Sequence, residues 1–264
     1  MSEDTRPIPI VLVASGTATT AATVYHRIEA ACQRLFPAHP IHLAFSSRAI
    51  RKRVQAQEGT LTATPEAVFD QLHQSGYANA VVQSLHLIGG IEFHHLAWKA
   101  AQSPLDIHLG LPLLSTPEDF DAVLDWLAEL RPSAEEDALV LVGHGTTHPA
   151  WMAYAVLAQR IADRFGPGII LGQVKGNPTP STVADRLGAA GCRRVVLRPF
   201  MLVAGAHFMQ DIAGDRPTSW QAQLEQQGLT VIPEGEGLGD HSMVIDIFGR
   251  HIRAAMAAPP LKLD

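Results

Sequence analysis

Val196-Leu-Arg-Pro-Phe-Met-Leu-Val-Ala-Gly-Ala-His-Phe-Met-Gln-Asp211 is the stretch from which the fold can be read. It is entered through an apolar run, Val195 to Leu197, short enough for a strand buried in a parallel sheet. Arg198-Pro199 should interrupt that strand, because proline has no N–H to give to the ladder. A second apolar run ends at Ala204-Gly205, where glycine permits a sharp turn, and His207 follows. The pattern places an imidazole at a loop-to-helix corner beyond the carboxyl end of a strand. In open α/β sheets that is where ligands bind.

The chain contains this pattern twice. Residues 64–93 align with residues 179–208 without a gap, pairing Thr64 with Thr179, Pro65 with Pro180, Gly76 with Gly191, Val81 with Val196, Gly90 with Gly205 and Phe93 with Phe208. These are positions an αβ unit needs: a proline opening a helix, a glycine closing it, a strand valine and a turn glycine. At the corner itself Glu92 stands where the second copy has His207. The openings match too, Ile10-Val-Leu-Val-Ala-Ser-Gly-Thr17 with Leu139-Val-Leu-Val-Gly-His-Gly-Thr146, so that Ser15 stands where the second copy has His144. The expectation is an α/β fold of two similar lobes, each a mainly parallel sheet flanked by helices. The second lobe would hold the metal-type chemistry.

Composition narrows the classes. The chain has 264 residues, enough for two small α/β domains, with 47% hydrophobic and 17% charged residues. A net charge of −6 argues against a nucleic-acid partner, which calls for a basic face. Cys32 and Cys192 form no CxxC and no disulfide framework, and both fit buried free thiols. The acidic start Met1-Ser-Glu-Asp lacks the basic and apolar regions of a signal peptide, and no apolar run reaches transmembrane length. A cytoplasmic protein without membrane contact is expected; a homo-oligomer is compatible with the sequence but unspecified by it.

The polar, helix-breaking stretch Arg131-Pro-Ser-Ala-Glu-Glu-Asp137 suggests the boundary between an N-terminal lobe, 1–131, and a C-terminal lobe, 137–264. Strands are expected at 8–14, 41–45, 80–87 and 107–109 in the first, and at 139–142, 168–174, 194–197 and 229–232 in the second. Helices are expected between them, including a short basic one over Arg48-Ala-Ile-Arg-Lys-Arg53.

Two histidines at strand-end corners of one lobe, His144 and His207, suit a shared metal or proton-transfer site better than two unrelated helix caps. His148 lies four residues after His144, but Gly145 and Pro149 make a helix across that span improbable, leaving it a supporting or substrate-facing role. Glu92 is a carboxylate that would serve the histidine pair as ligand, proton acceptor or both; by itself it would read as a first-turn acid favoured by the helix dipole. His94 and His95 fit a helix surface, and His86 precedes the turn. Arg48, Arg51, Lys52 and Arg53 would have a purpose if the ligand were a polycarboxylate. There is no phosphate loop, no dinucleotide fingerprint after a strand and no GxSxG elbow, so no nucleotide is expected.

The combination of Ala14-Ser-Gly-Thr17, Ser47 to Arg53, Val82-Gln-Ser-Leu-His86, Gly143-His-Gly145 with His148, Met201-Leu-Val-Ala-Gly205 with His207, and Gly237-Leu-Gly239 resembles the anaerobic sirohydrochlorin cobaltochelatases of cobalamin biosynthesis, ferrochelatase relatives among the class II chelatases. The resemblance runs nearly end to end. It implies a two-lobe fold and ATP-independent insertion of Co²⁺, the metal being a substrate, into the tetrapyrrole sirohydrochlorin, a lyase-class reaction. By resemblance His144 and His207 hold the metal, His144 with a catalytic role, and Glu92 matches an acidic residue opposite them.

One position departs. The family's third metal ligand is a Glu after the strand near 168–174, and here that place holds Lys175. An ammonium has no lone pair, and its ordinary pKa is about 10.4. Three outcomes are open: Glu92 completes the site, Lys175 holds a substrate carboxylate beside a two-histidine site, or the chain binds tetrapyrrole or metal as a carrier without inserting it. A chelatase for Ni²⁺ or Fe²⁺ is a further alternative, because imidazole suits all these metals.

Overall fold

Ile10-Val-Leu-Val-Ala14 is apolar at every position, which suits a strand covered on both faces. In the computed structural model, which describes residues 6–58, 62–134 and 136–262, it forms β1 (Ile10–Ala14), buried throughout. The chain continues through α1 (Thr23–Leu35), β2 (Ile41–Phe45), α2 (Arg48–Glu58), α3 (Pro65–Gln74), β3 (Asn79–Ser84), α4 (Ile91–Ala101) and β4 (Asp106–Gly110). The four strands make one parallel sheet in the order β2-β1-β3-β4. Val11, Val13 and Val82 on the sheet pack with Phe69 and Leu72 of α3 and Leu96 of α4. The basic helix runs beyond the expected 48–53, and a single 3-10 turn, Thr20–Ala22, precedes α1.

The second half repeats the plan. After α5 (Pro117–Leu130) come β5 (Asp137–Gly143), α6 (Trp151–Phe165), β6 (Ile169–Gln173), α7 (Pro180–Ala189), β7 (Arg194–Phe200), α8 (Trp220–Gln226) and β8 (Thr230–Pro233). These strands also pair in parallel, in the order β6-β5-β7-β8. The repeat is visible in detail. Thr64 accepts the Ala67 N–H at 3.0 Å to open α3, and Thr179 accepts the Thr182 N–H at 3.4 Å to open α7. Past each helix sits a glycine in the left-handed region, Gly76 at φ +82° and Gly191 at φ +78°.

Pro199 does not end β7, contrary to expectation; Pro199 and Phe200 lie opposite Val142 and Gly143 of β5. Leu197 turns its carbonyl toward β8, where it accepts the Glu234 N–H at 2.9 Å. Pro199, two residues on, faces the same side past the end of β8, so no ladder donor is missing.

The chain divides into two compact units, Met1–Ser115 with Val244–Asp264, and Thr116–Met243. That differs from the boundary expected at 131–137, at both ends. Helix α5 belongs with the second unit, where Arg160 and Arg164 of α6 pair with Asp121 and Asp125. The last helix, α9 (Ser242–Ala257), runs into the first unit. There the His251 Nδ1–H donates to Leu111 O at 3.0 Å, and the His108 Nδ1–H donates to Ala258 O at 2.9 Å. Helical periodicity shows that a helix has an apolar face, not which sheet that face covers. Among the described residues no helix is long and apolar enough to cross a membrane.

Candidate metal centre

In the order β6-β5-β7-β8 the chain leaves β5 toward β6 and then returns across it to β7. The loops after β5 and β7 therefore flank the switch point of the sheet, where a crevice opens at the strands' carboxyl ends. His144 follows β5 directly and His207 lies in the segment after β7. The imidazoles meet edge to face, with ring centroids 4.6 Å apart and planes at 76°. At that separation one ion, roughly 2 Å from a nitrogen of each ring, can be shared.

The main chain around His144 is set by its glycines. Gly145 has φ +74°, and a Cβ there would sit 1.9 Å from Lys175 O. A Cβ on Gly143 would sit 2.6 Å from the Tyr154 ring. The His144 Nδ1–H donates to Gly145 O at 2.9 Å. A carbonyl only accepts, so this contact keeps the proton on Nδ1 and the lone pair on Nε2. Burial lowers the His144 pKa, and the nearby Lys175 ammonium acts in the same direction. A neutral ring at physiological pH is the form that binds metal or takes a proton.

His207 is the more exposed of the two. Its Nδ1–H donates to Asp211 Oδ2 at 2.7 Å, leaving Nε2 as the donor atom here too. Lys175 comes to the same corner through the main chain: its N–H donates to His144 O at 3.0 Å while its side chain is exposed. Among the described residues no group of three or more His, Cys, Asp or Glu is gathered for a metal. The donor set in the second unit is thus two imidazoles with an ammonium beside them.

The other expected residues are placed as follows. His148 enters α6: its Nδ1 accepts the Ala150 N–H at 3.2 Å and its carbonyl the Trp151 N–H at 2.9 Å. The side-chain contact at the entry to α6 is thus made by His148 and not by His144. Glu92 is exposed in the first turn of α4, in the first unit, and His94 and His95 are exposed on the same helix. Nε2 of His86 is buried and finds no partner among the described residues, its Nδ1 is 2.9 Å from Ser84 Oγ, and burial pushes its pKa down to about 4. The basic helix α2 starts at the carboxyl edge of the first sheet, tied there by the Ser47 N–H to Ser15 O. Nε of Arg51 is buried and finds no acceptor among the described residues.

Two further residues, which the sequence pattern does not single out, shape the site. Tyr154 presses on Gly143 and hydrogen-bonds the main chain of Gly145, and Asp211 orients His207. The second had a legible signal, a carboxylate four residues after the histidine in a helical segment.

The chain thus has two parallel α/β units built on a duplicated plan, one of them carrying paired imidazoles at its switch point. The model of the cobalt chelatase family CbiK matches residues 9–257. The chain is 31% identical over 230 residues to the sirohydrochlorin cobaltochelatase CbiKC of Nitratidesulfovibrio vulgaris, covering 84% of this chain and 81% of that one. It is likewise 31% identical over 224 residues to the sirohydrochlorin cobaltochelatase of Salmonella typhimurium, covering 83% and 84%. The structure of SirB from Bacillus subtilis with Fe³⁺ superposes with a TM-score of 0.66 at 15% identity, over 97% of this chain and all of that one, a likeness of fold. The chain belongs to the CbiK cobalt chelatase family.

Proposed function

We propose that this protein inserts Co²⁺ into sirohydrochlorin without a nucleotide, as a cytoplasmic lyase of cobalamin biosynthesis. The observation that carries the reading is the pair of imidazoles at the switch point of the second sheet, each with its proton held on Nδ1 and its Nε2 left as a donor. Insertion requires a partly dehydrated ion, loss of two pyrrole N–H protons and movement of the ion onto the ring nitrogens. His144 and His207 hold the ion and replace part of its water shell. Once the ion moves onto the macrocycle, the Nε2 lone pair of His144 is free to take one pyrrole proton while the other passes to water, and its lowered pKa keeps that lone pair available near neutrality. Glu92 is the carboxylate assigned to offset the charge of the ion. Arg51 and Lys52 on α2 are assigned to peripheral carboxylates of the substrate, for which guanidinium and ammonium groups are suited partners.

The test follows sirohydrochlorin absorbance with Co²⁺ against the uncatalysed rate. His144→Ala should fold as wild type and lose insertion by at least about 10²-fold. Undiminished turnover in the folded variant would sink the assignment. A second reading, a tetrapyrrole or metal carrier, or a chelatase for Ni²⁺ or Fe²⁺, is favoured by Lys175 alone. The same assay with the three metals separates them: a carrier shows binding without acceleration for any, and a chelatase of different selectivity accelerates a metal other than Co²⁺.

A further inference from the structure

Asp211 lies in a segment where the two copies of the repeat part in backbone conformation. In the first unit Glu92 lies in the first turn of a regular helix, and Leu96, four residues on, is buried at 1% exposure. In the ungapped register Leu96 is the counterpart of Asp211. Position 211 does not face the core, because Phe208–Ile212 is a π-turn, closed by the Ala213 N–H donating to Phe208 O at 2.8 Å. The wider turn moves the core-facing place one residue on, and Ile212 fills it at 0% exposure. Position 211 is thereby free to carry a carboxylate beside His207. Single π-turns are rare and concentrate at functional sites.

The contact it makes is the 2.7 Å bond from His207 Nδ1–H to Asp211 Oδ2. A carboxylate only accepts, so it keeps the proton on Nδ1, and its charge makes the opposite nitrogen a stronger donor. His144 gives its Nδ1–H to a neutral carbonyl instead. We infer that Asp211 is a positioning residue for the metal, holding His207 in the Nδ1–H tautomer and making it the stronger of the two imidazole donors. This rests on reading His144 and His207 as the metal-holding pair.

The experiment uses the full chain without tetrapyrrole. Ring-nitrogen NMR of ¹⁵N-histidine-labelled protein should show His207 protonated at Nδ1, and Asp211→Ala should move it toward the Nε2–H tautomer. Calorimetric titration with Co²⁺ should show a dissociation constant raised about 10–100-fold. Asp211→Asn, of nearly the same shape but uncharged, should weaken binding less; it also serves if the alanine variant does not fold. Asp211→Glu should recover part of the loss. A folded Asp211→Ala or Asp211→Asn protein with the wild-type tautomer and wild-type Co²⁺ affinity overturns the inference. The underlying reading fails differently: in that case His207→Ala also leaves Co²⁺ affinity unchanged.

Discussion

Each unit ends its central strand in the same device. In the first, β1 runs into Ser15 and Gly16, the glycine at φ +94°, and the main chain of Gly16 hydrogen-bonds the buried hydroxyl of Tyr25 on α1. In the second, β5 runs into His144 and Gly145, the glycine at φ +74°, and the main chain of Gly145 hydrogen-bonds the buried hydroxyl of Tyr154 on α6. Burial raises both phenols, Tyr154 to about 12, so both are neutral hydroxyls that anchor a turn. The neighbouring loop repeats as well: the Ser47 N–H donates to Ser15 O at 3.3 Å, as the Lys175 N–H does to His144 O at 3.0 Å. The frame of a switch-point site is therefore common to both units, and the chemistry is decided by the residues set into it. Serine, glutamate and serine occupy it in one unit; histidine, histidine and lysine occupy it in the other.

The sharpest way to break this equivalence is at the two glycines, because their surroundings differ although their conformations match. A Cβ at Gly145 meets a main-chain carbonyl at 1.9 Å, which cannot swing aside. A Cβ at Gly16 meets side-chain atoms of Phe45 and Ile50 at 3.2 and 3.3 Å, which can. Gly145→Ala should cost about 3–4 kcal/mol, combining left-handed strain with displacement of the loop that carries Lys175. Gly16→Ala should cost about 1–2 kcal/mol, close to the strain alone. Urea denaturation of both variants measures the difference, and equal losses would show that the two turns are equally crowded.

What the sequence made legible was the local frame. Thr-Pro caps, positive-φ glycines and apolar strands are short-range signals, and their ungapped repetition predicted two parallel α/β units and the corner holding His144 and His207. What it hid was set by long-range packing. Nothing in the pattern of α9 says that it runs into the first unit, or in α5 that its Asp121 and Asp125 meet α6. The π-turn was hidden for a related reason. The register would bury position 211 as it buries Leu96, and only the wider turn hands that place to Ile212.

A second contrast concerns the strand ends one position before the loops diverge, where His86 in the first unit matches Met201 in the second. The His86 pKa falls from 6.5 to about 4 because burial disfavours its charged form. The unfolded chain binds that proton more readily than the folded one. This contribution to stability is therefore fully present above about pH 6.5 and is lost as pH falls toward 4. Between pH 7 and 4.5 it amounts to about 2 kcal/mol. Placing the second unit's residue in the first, His86→Met, should flatten the pH dependence of the denaturation midpoint by that amount. An unchanged slope would mean that the ring is already charged, or solvated, in the folded protein.

The smallest effect tests the position at which the second unit departs most from a metal site. Lys175 places a positive charge near His144, lowering the imidazole's pKa and opposing any cation the histidines hold. Ser47 is its counterpart by hydrogen bond in the first unit, so Lys175→Ser removes the charge while keeping a residue that this frame already accepts. It should tighten Co²⁺ binding a little. Lys175→Glu reverses the charge and adds a ligand, and should tighten it about tenfold, or about 1.4 kcal/mol. Calorimetric titration orders the three proteins. If glutamate binds no tighter than serine, the side chain at 175 does not reach the ion and only its charge is felt; if neither differs from lysine, the ammonium is turned toward another partner, for which a substrate carboxylate is the suited group. A gain in affinity with a loss of turnover would assign the lysine to release, since an ion held by three donors is slower to move onto the macrocycle than one held by two imidazoles.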